Sequence, residues 1–105
     1  MADTRDFFEN FLREKLASHP ELAKEIGAVY VFDVDGAGSW TVDLTEGTGT
    51  ISEGGHDDPG CTVSAKQKDF EALLDNPNSA MMLFAMGKLK VTNVALAISL
   101  QKLLS

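Results

Sequence analysis

Cysteine occurs once, at Cys61, so no disulfide can form within this chain, and a reducing compartment is compatible with it. No stretch approaches the ~18 apolar residues of a membrane span. Positive charge is missing from the middle of the chain. Residues 28–65 hold no Lys or Arg but carry seven acids: Asp33, Asp35, Asp43, Glu46, Glu53, Asp57 and Asp58. Such a segment repels phosphates, which argues against nucleic acid as a partner. The first residues, Met-Ala-Asp-Thr-Arg-Asp, have neither the basic nor the apolar region of a secretory signal. A cytoplasmic location is expected.

Catalytic and metal-binding material is also scarce. His19 precedes a proline and His56 lies in a Gly/Asp loop, so both are expected to be exposed. Val31-Phe-Asp-Val-Asp-Gly resembles the start of a calcium loop. The twelfth loop position, however, falls on Leu44 or Val42, depending on whether Asp33 or Gly36 sets the register, and neither is the required Glu. Gly47-Thr-Gly-Thr and Gly54-Gly55 do not lead from a strand into a helix with Lys or Ser/Thr behind, so they read as turns rather than a phosphate cradle. Cys61 reads as a small core residue. No pair of acids has the buried setting and fixed partner of a general acid. No enzyme activity, cofactor or metal is expected.

What the chain does have is ample apolar material for one domain. It has 105 residues, is 44% apolar and 24% charged, and carries a net charge of −7. One domain over residues 1–105 is expected. The helical spacing of Phe7, Phe8, Phe11, Leu12 and Leu16 predicts an amphipathic helix from Thr4 to about Ala17. Ser18-His19-Pro20-Glu21 has the form of a capping box, opening a short helix that stops at Gly27. Ala28 to Val34 and Ser39 to Leu44 read as strands joined at Asp35-Gly-Ala-Gly, with Trp40, Val42 and Leu44 on one face. Thr48 to Glu53 and Cys61 to Ser64 read as two further strands. Ser64 with Gln67 predicts a second capping box and a helix burying Phe70, Leu73 and Leu74. Ser79 to Met86 is a short helix dense in soft side chains, Met81, Met82, Leu83, Phe84 and Met86.

The last stretch runs Gly87-Lys-Leu-Lys-Val, with period two, and then becomes helical and almost uncharged from Val94 to Leu104. A helix apolar nearly all round is buried or covers something other than an ordinary core. Gln101 is its large uncharged polar side chain, fitting either a solvent-facing helix position or a polar anchor that meets a carboxylate or hydroxyl at the end of an apolar tunnel. The element order is α-α-β-β-β-β-α-α-β-α, an α+β chain with helices on one face of a mainly antiparallel sheet. Methionines that fill core gaps also suit adaptable binding surfaces, so the cluster before this helix fits either use.

The order and spacing of several short pieces resemble the sterol carrier protein 2 (SCP-2) family. They are Gly27-Ala-Val-Tyr-Val-Phe, Trp40-Thr-Val-Asp-Leu, Cys61-Thr-Val with Asp69-Phe70, Gly87-Lys-Leu-Lys-Val, Asn93, Ala95-Leu-Ala and Leu100-Gln101. The resemblance covers essentially the whole chain. It implies five strands covered by helices, with an apolar tunnel between the layers for fatty acids, fatty acyl-CoA or sterol-like molecules. It implies non-catalytic lipid binding or transfer and a C-terminal helix that helps close the tunnel; transient contact with membranes is compatible with this reading. The implied lining is Phe11, Trp40, Val42, Phe70, Leu74, Met82, Phe84, Met86, Leu89, Leu96, Leu100 and Leu104, with Gln101 near the polar end of the ligand. Val91-Thr92-Asn93 is one residue shorter than the family pattern, which usually has Gly before the asparagine, and this bears on the register of the last helix. The ending Leu103-Leu104-Ser105 is not a peroxisomal Ser-Lys-Leu signal. The alternative is an interaction module whose cavity is filled by Met and Phe.

A closed dry tunnel would strain so small a domain. Roughly 400 Å³ of cavity, at roughly 24 cal/mol per Å³, costs on the order of 10 kcal/mol. That equals the whole stability of an ordinary domain. A filled, wet or collapsed tunnel is therefore expected.

Overall fold

One sheet of five strands organises the protein, in the order β3-β2-β1-β4-β5. The strands are β1 (Val29–Asp35), β2 (Gly38–Asp43), β3 (Thr50–Glu53), β4 (Cys61–Lys66) and β5 (Leu89–Val91). The structure, a computed structural model, describes residues 3–104. The two ends of the expected domain, residues 1–2 and 105, lie outside the described residues. The helices are α1 (residues 4–18), α2 (Glu21–Ile26), α3 (Gln67–Asp75), α4 (Ala80–Ala85), α5 (Val94–Ser99) and α6 (Gln101–Leu104). This is the α+β order read from the sequence.

Three of the four strand pairings are antiparallel and one, β1 with β4, is parallel. Period two sets the inner face. Tyr30, Phe32 and Val34 of β1 share it with Trp40 and Val42 of β2, Val63 of β4 and Leu89 of β5, all buried against the helices. The parallel pair forces residues 54–60 to cross the outer face of the sheet to reach β4. Gly54 N–H donates to the Ser39 carbonyl, Thr41 Oγ1 donates to the Gly54 carbonyl at 2.8 Å, and Gly60 N–H donates to Val29. That crossing explains why Val31 and Thr41, on the outward side, are buried.

Helix α1 departs from ideal spacing. Thr4–Asp6 and Leu12–Ser18 are α-helical, but Phe7–Phe11 forms a π turn in which Leu12 N–H donates to the Phe7 carbonyl five residues back. With the wider turn, Phe7, Phe8 and Leu12 are all buried while Phe11 turns outward, 43% exposed. Neither expected capping box forms. Ser18 is the last residue of α1, and the Pro20 that precedes α2 makes no side-chain cap. Ser64 is held in the ladder between Asp33 and Lys90, because the parallel pairing continues to Lys66. Gly27 does end α2, in the left-handed region at φ 57° where glycine is favoured.

Candidate functional site

Beneath the β1–β2 part of the sheet the layers are filled with aromatic rings. Phe8 stacks on Trp40 at 4.6 Å between centroids and lies 5.1 Å from Phe32 and 5.8 Å from Phe70. Phe7 meets Phe70 edge-on at 6.0 Å. Trp40 and Val42 of the sheet face the helical layer, to which Phe70 of α3 belongs, and Phe8 occupies the space above Trp40.

Beneath β5 the filling stops. An apolar cleft of about 300 Å³ lies between α4, β5 and the C-terminal helices. Leu73, Leu89, Leu100 and Leu104 form its buried walls. Ala80 and Ala97, with small side chains, leave room along its sides, and Val91 lines its strand edge. Met81, Phe84, Val94 and Ile98 stand at its mouth, with Met81 67% and Ile98 61% exposed. The mouth is open to solvent, so the cleft does not carry the penalty of a sealed dry cavity. Gln101 contributes the amide that borders it, among otherwise apolar side chains.

Helix α5 owes its position to its N-terminus. Asn93 Oδ1 accepts from Leu96 N–H at 3.1 Å, an N-cap at the end of β5. The buried Tyr30 hydroxyl donates to the Leu96 carbonyl at 2.6 Å, and Cys61 Sγ donates to the Asn93 carbonyl. Burial pushes the Tyr30 phenol well above its ordinary range, so it stays a donor. Leu96 packs over Gly60, where a Cβ would stand 3.2 Å from Leu96 Cδ1. These contacts turn Val94, Ala97, Ile98 and Gln101 towards the cleft, the i, i+3, i+4, i+7 face of the segment.

Of the thirteen residues expected to line a ligand site, Phe84, Leu89, Leu100, Gln101 and Leu104 meet at this cleft. Trp40, Val42 and Phe70 are buried in the filled aromatic region. Leu96 is partly buried against Gly60. Met82 and Met86 point outward, each 58% exposed, because α4 is a short helix lying on the surface. Phe11 and Leu74 border a separate hollow of about 160 Å³. The wall residues that the sequence reading missed are Leu73, Ala80, Met81, Val91, Val94, Ala97 and Ile98. For α5 the signal existed: the 94/97/98/101 face is as periodic as the 96/100/104 face chosen.

A larger hollow of about 370 Å³ lies across the outward face of the sheet, and it is charged. Asp33, Asp35 and Asp69 stand there with Lys66, Lys68, Lys88 and Lys90, so opposite charges offset one another. Among the described residues no group of His, Cys, Asp and Glu could hold a metal ion, and no helix is long and apolar enough to cross a membrane.

Comparison with known proteins places this geometry. Residues 8–105 match the SCP-2 sterol transfer family. Sterol carrier protein 2 of Homo sapiens is 34% identical over 99 residues, covering 88% of this chain and 18% of that protein. Peroxisomal multifunctional enzyme A of Dictyostelium discoideum is 31% identical over 93 residues, covering 84% of this chain and 21% of that protein. The chain thus spans about a fifth of the length of these curated relatives. The structure of sterol carrier protein 2 from Yarrowia lipolytica in its apo form superposes with a TM-score of 0.74 at 26% identity, over 95% of this chain and 82% of that one. A mixed five-stranded sheet roofed by helices and a sequence match through both layers lead to one conclusion: the chain belongs to the SCP-2 sterol transfer family.

Proposed function

We propose that this protein binds a lipid in the apolar cleft and passes it between membranes, without catalysing a reaction. The observation that carries this reading is a cleft of about 300 Å³ with aliphatic walls and a single amide, Gln101, at its edge. Aliphatic walls recognise a hydrocarbon through area removed from water, about 25 cal/mol per Å². The Gln101 amide orients the polar end of the ligand by hydrogen bonding. Helices α5 and α6 form one wall, and their movement against α4 opens and closes the site. Lys88 and Lys90 line the charged hollow, not the cleft, so a singly charged or neutral lipid suits the cleft better than the phosphates of an acyl-CoA.

The cleft's surroundings suit contact with a bilayer. Met81, Met82, Met86, Val94 and Ile98 are exposed around or beside its mouth. From Asn76 to Leu104 the charged residues are Lys88, Lys90 and Lys102, all positive in a chain of net charge −7. The reading of an interaction module with a filled cavity gains nothing from Met82 and Met86, which point into solvent and leave the cleft empty of side chains.

Displacement of a fluorescent fatty acid from the purified protein tests the binding. Displacement by fatty acids, fatty acyl-CoA or sterols is expected. If the probe and all three classes fail to bind, and native mass spectrometry finds no lipid retained, the reading is wrong.

A further inference from the structure

Leu104 borders two hollows. On one side is the main cleft, and on the other the hollow of about 160 Å³ formed by Asp3, Asp6, Phe7, Phe11, Leu74 and Leu104. Its side chain is buried, 5% exposed. Consecutive residues of α3 repeat the division, since Leu73 lines the cleft and Leu74 lines the smaller hollow. The π turn of α1 makes the far end, because it turns Phe11 away from the core while Phe7 stays buried beside it, rings 5.6 Å apart. The partition sits on α6, a helix of four residues set off from α5 at Leu100.

We propose that Leu104 divides one alkyl site into two compartments, the smaller of which takes the terminal methylenes of chains too long for the cleft. This rests on the lipid-binding reading and adds to it the chain length and the direction of insertion. Asp3 and Asp6 stand at the smaller hollow, tied locally by hydrogen bonds from Asp6 N–H and the Asn10 amide. Two acids there repel a carboxylate, so the apolar end of the ligand enters between Phe7, Phe11 and Leu74. The polar end stays at the Gln101 side of the cleft. With a methylene taken as about one water volume, ~30 Å³, the cleft holds about ten methylenes and the smaller hollow about five more.

Saturated fatty acids graded from about eight to about eighteen carbons test the partition by probe displacement. In the natural protein affinity rises by about fourfold per methylene while the cleft fills. Beyond about ten carbons each methylene has to move Leu104, and the gain per methylene falls. In Leu104→Ala the steep rise continues to about fifteen carbons. Phe11→Trp, at an exposed position that tolerates bulk, fills the smaller hollow. It weakens a chain of about sixteen carbons by at least ~10-fold and leaves one of about ten unchanged. Should Leu104→Ala fail to fold by circular dichroism, the Phe11→Trp comparison decides alone. Binding with the same length profile in the natural protein and in the folded variants overturns the partition while leaving lipid binding intact. No binding of any chain by the natural protein overturns the lipid-binding reading itself.

Discussion

The two ends of the helix–sheet interface are built from different side chains. Under β1 and β2 the gap is closed by Phe7, Phe8, Phe32, Trp40 and Phe70, ring on ring. Under β5 the buried walls are leucines, with Ala80 and Ala97 along the sides, and the gap stays open. Rings of large area, fixed by stacking, fill their space and hold the layers together. Aliphatic side chains around alanines leave a volume they cannot close. The difference separates two tasks: one end supplies stability, and the other gives some up to keep a cleft.

The largest expected effect is at the filled end. Phe8→Ala removes the ring on which Trp40 and Phe70 stack and should cost about 3–5 kcal/mol. At roughly 4–8 °C per kcal/mol, the melting temperature should fall by on the order of 20 °C. A drop of only a few degrees would mean that the aromatic end does not carry the fold. At the open end the opposite is expected. Ala97→Leu fills the cleft with apolar atoms, so probe affinity should fall at least ~10-fold while the melting temperature holds or rises by a few degrees. Unchanged affinity in the folded variant would place the ligand elsewhere.

Tyr30→Phe probes the joint between the ends. Loss of the hydrogen bond to Leu96 should cost about 1 kcal/mol and lower the melting temperature by about 4–8 °C. Because burial raises the folded phenol's pKa, its contribution is fully present below about pH 10 and is lost as pH rises beyond it. The natural protein should therefore lose stability in alkali, and Tyr30→Phe should lose less. Equal alkaline losses in both would show that Tyr30 is not buried as described. The smallest effect concerns α1 and α3. Glu71 accepts from Thr4 N–H at 2.9 Å and from Thr4 Oγ1 at 3.0 Å, and chiefly the backbone bond holds its carboxyl below the ordinary 4.5. That stabilisation is present above the ordinary value and is lost as pH falls through the lowered one. Glu71→Gln should lower the melting temperature at neutral pH by on the order of 2 °C and flatten the acid limb. An unchanged acid limb would remove Glu71 from the account.

Much of the fold was legible because it rests on period. Trp40, Val42 and Leu44 alternate, and the sheet buries all three. The parallel pairing of β1 with β4 has no local signal, since it depends on where residues 54–60 travel. The cleft was legible as an apolar C-terminal segment but not in its register. On a helix apolar nearly all round, two faces compete, and tertiary contacts from Tyr30, Cys61 and Gly60 chose between them. The outward turn of Phe11 was hidden for a related reason, since a π turn breaks the spacing from which its burial was inferred.

The crossing of residues 54–60 also sets an order of assembly. The β1–β2 hairpin joins near neighbours, whereas β4 pairs Cys61 with Tyr30 and must wait for a longer segment to be laid across the sheet. Every wall of the cleft comes from residues 73–104, after β4 in the chain. On a growing polypeptide the hairpin and its first helix exist before any of those walls has been made. The cleft closes last over a frame already in place, and in native-state hydrogen exchange its helices should open first, at a lower free energy than β1 and β2.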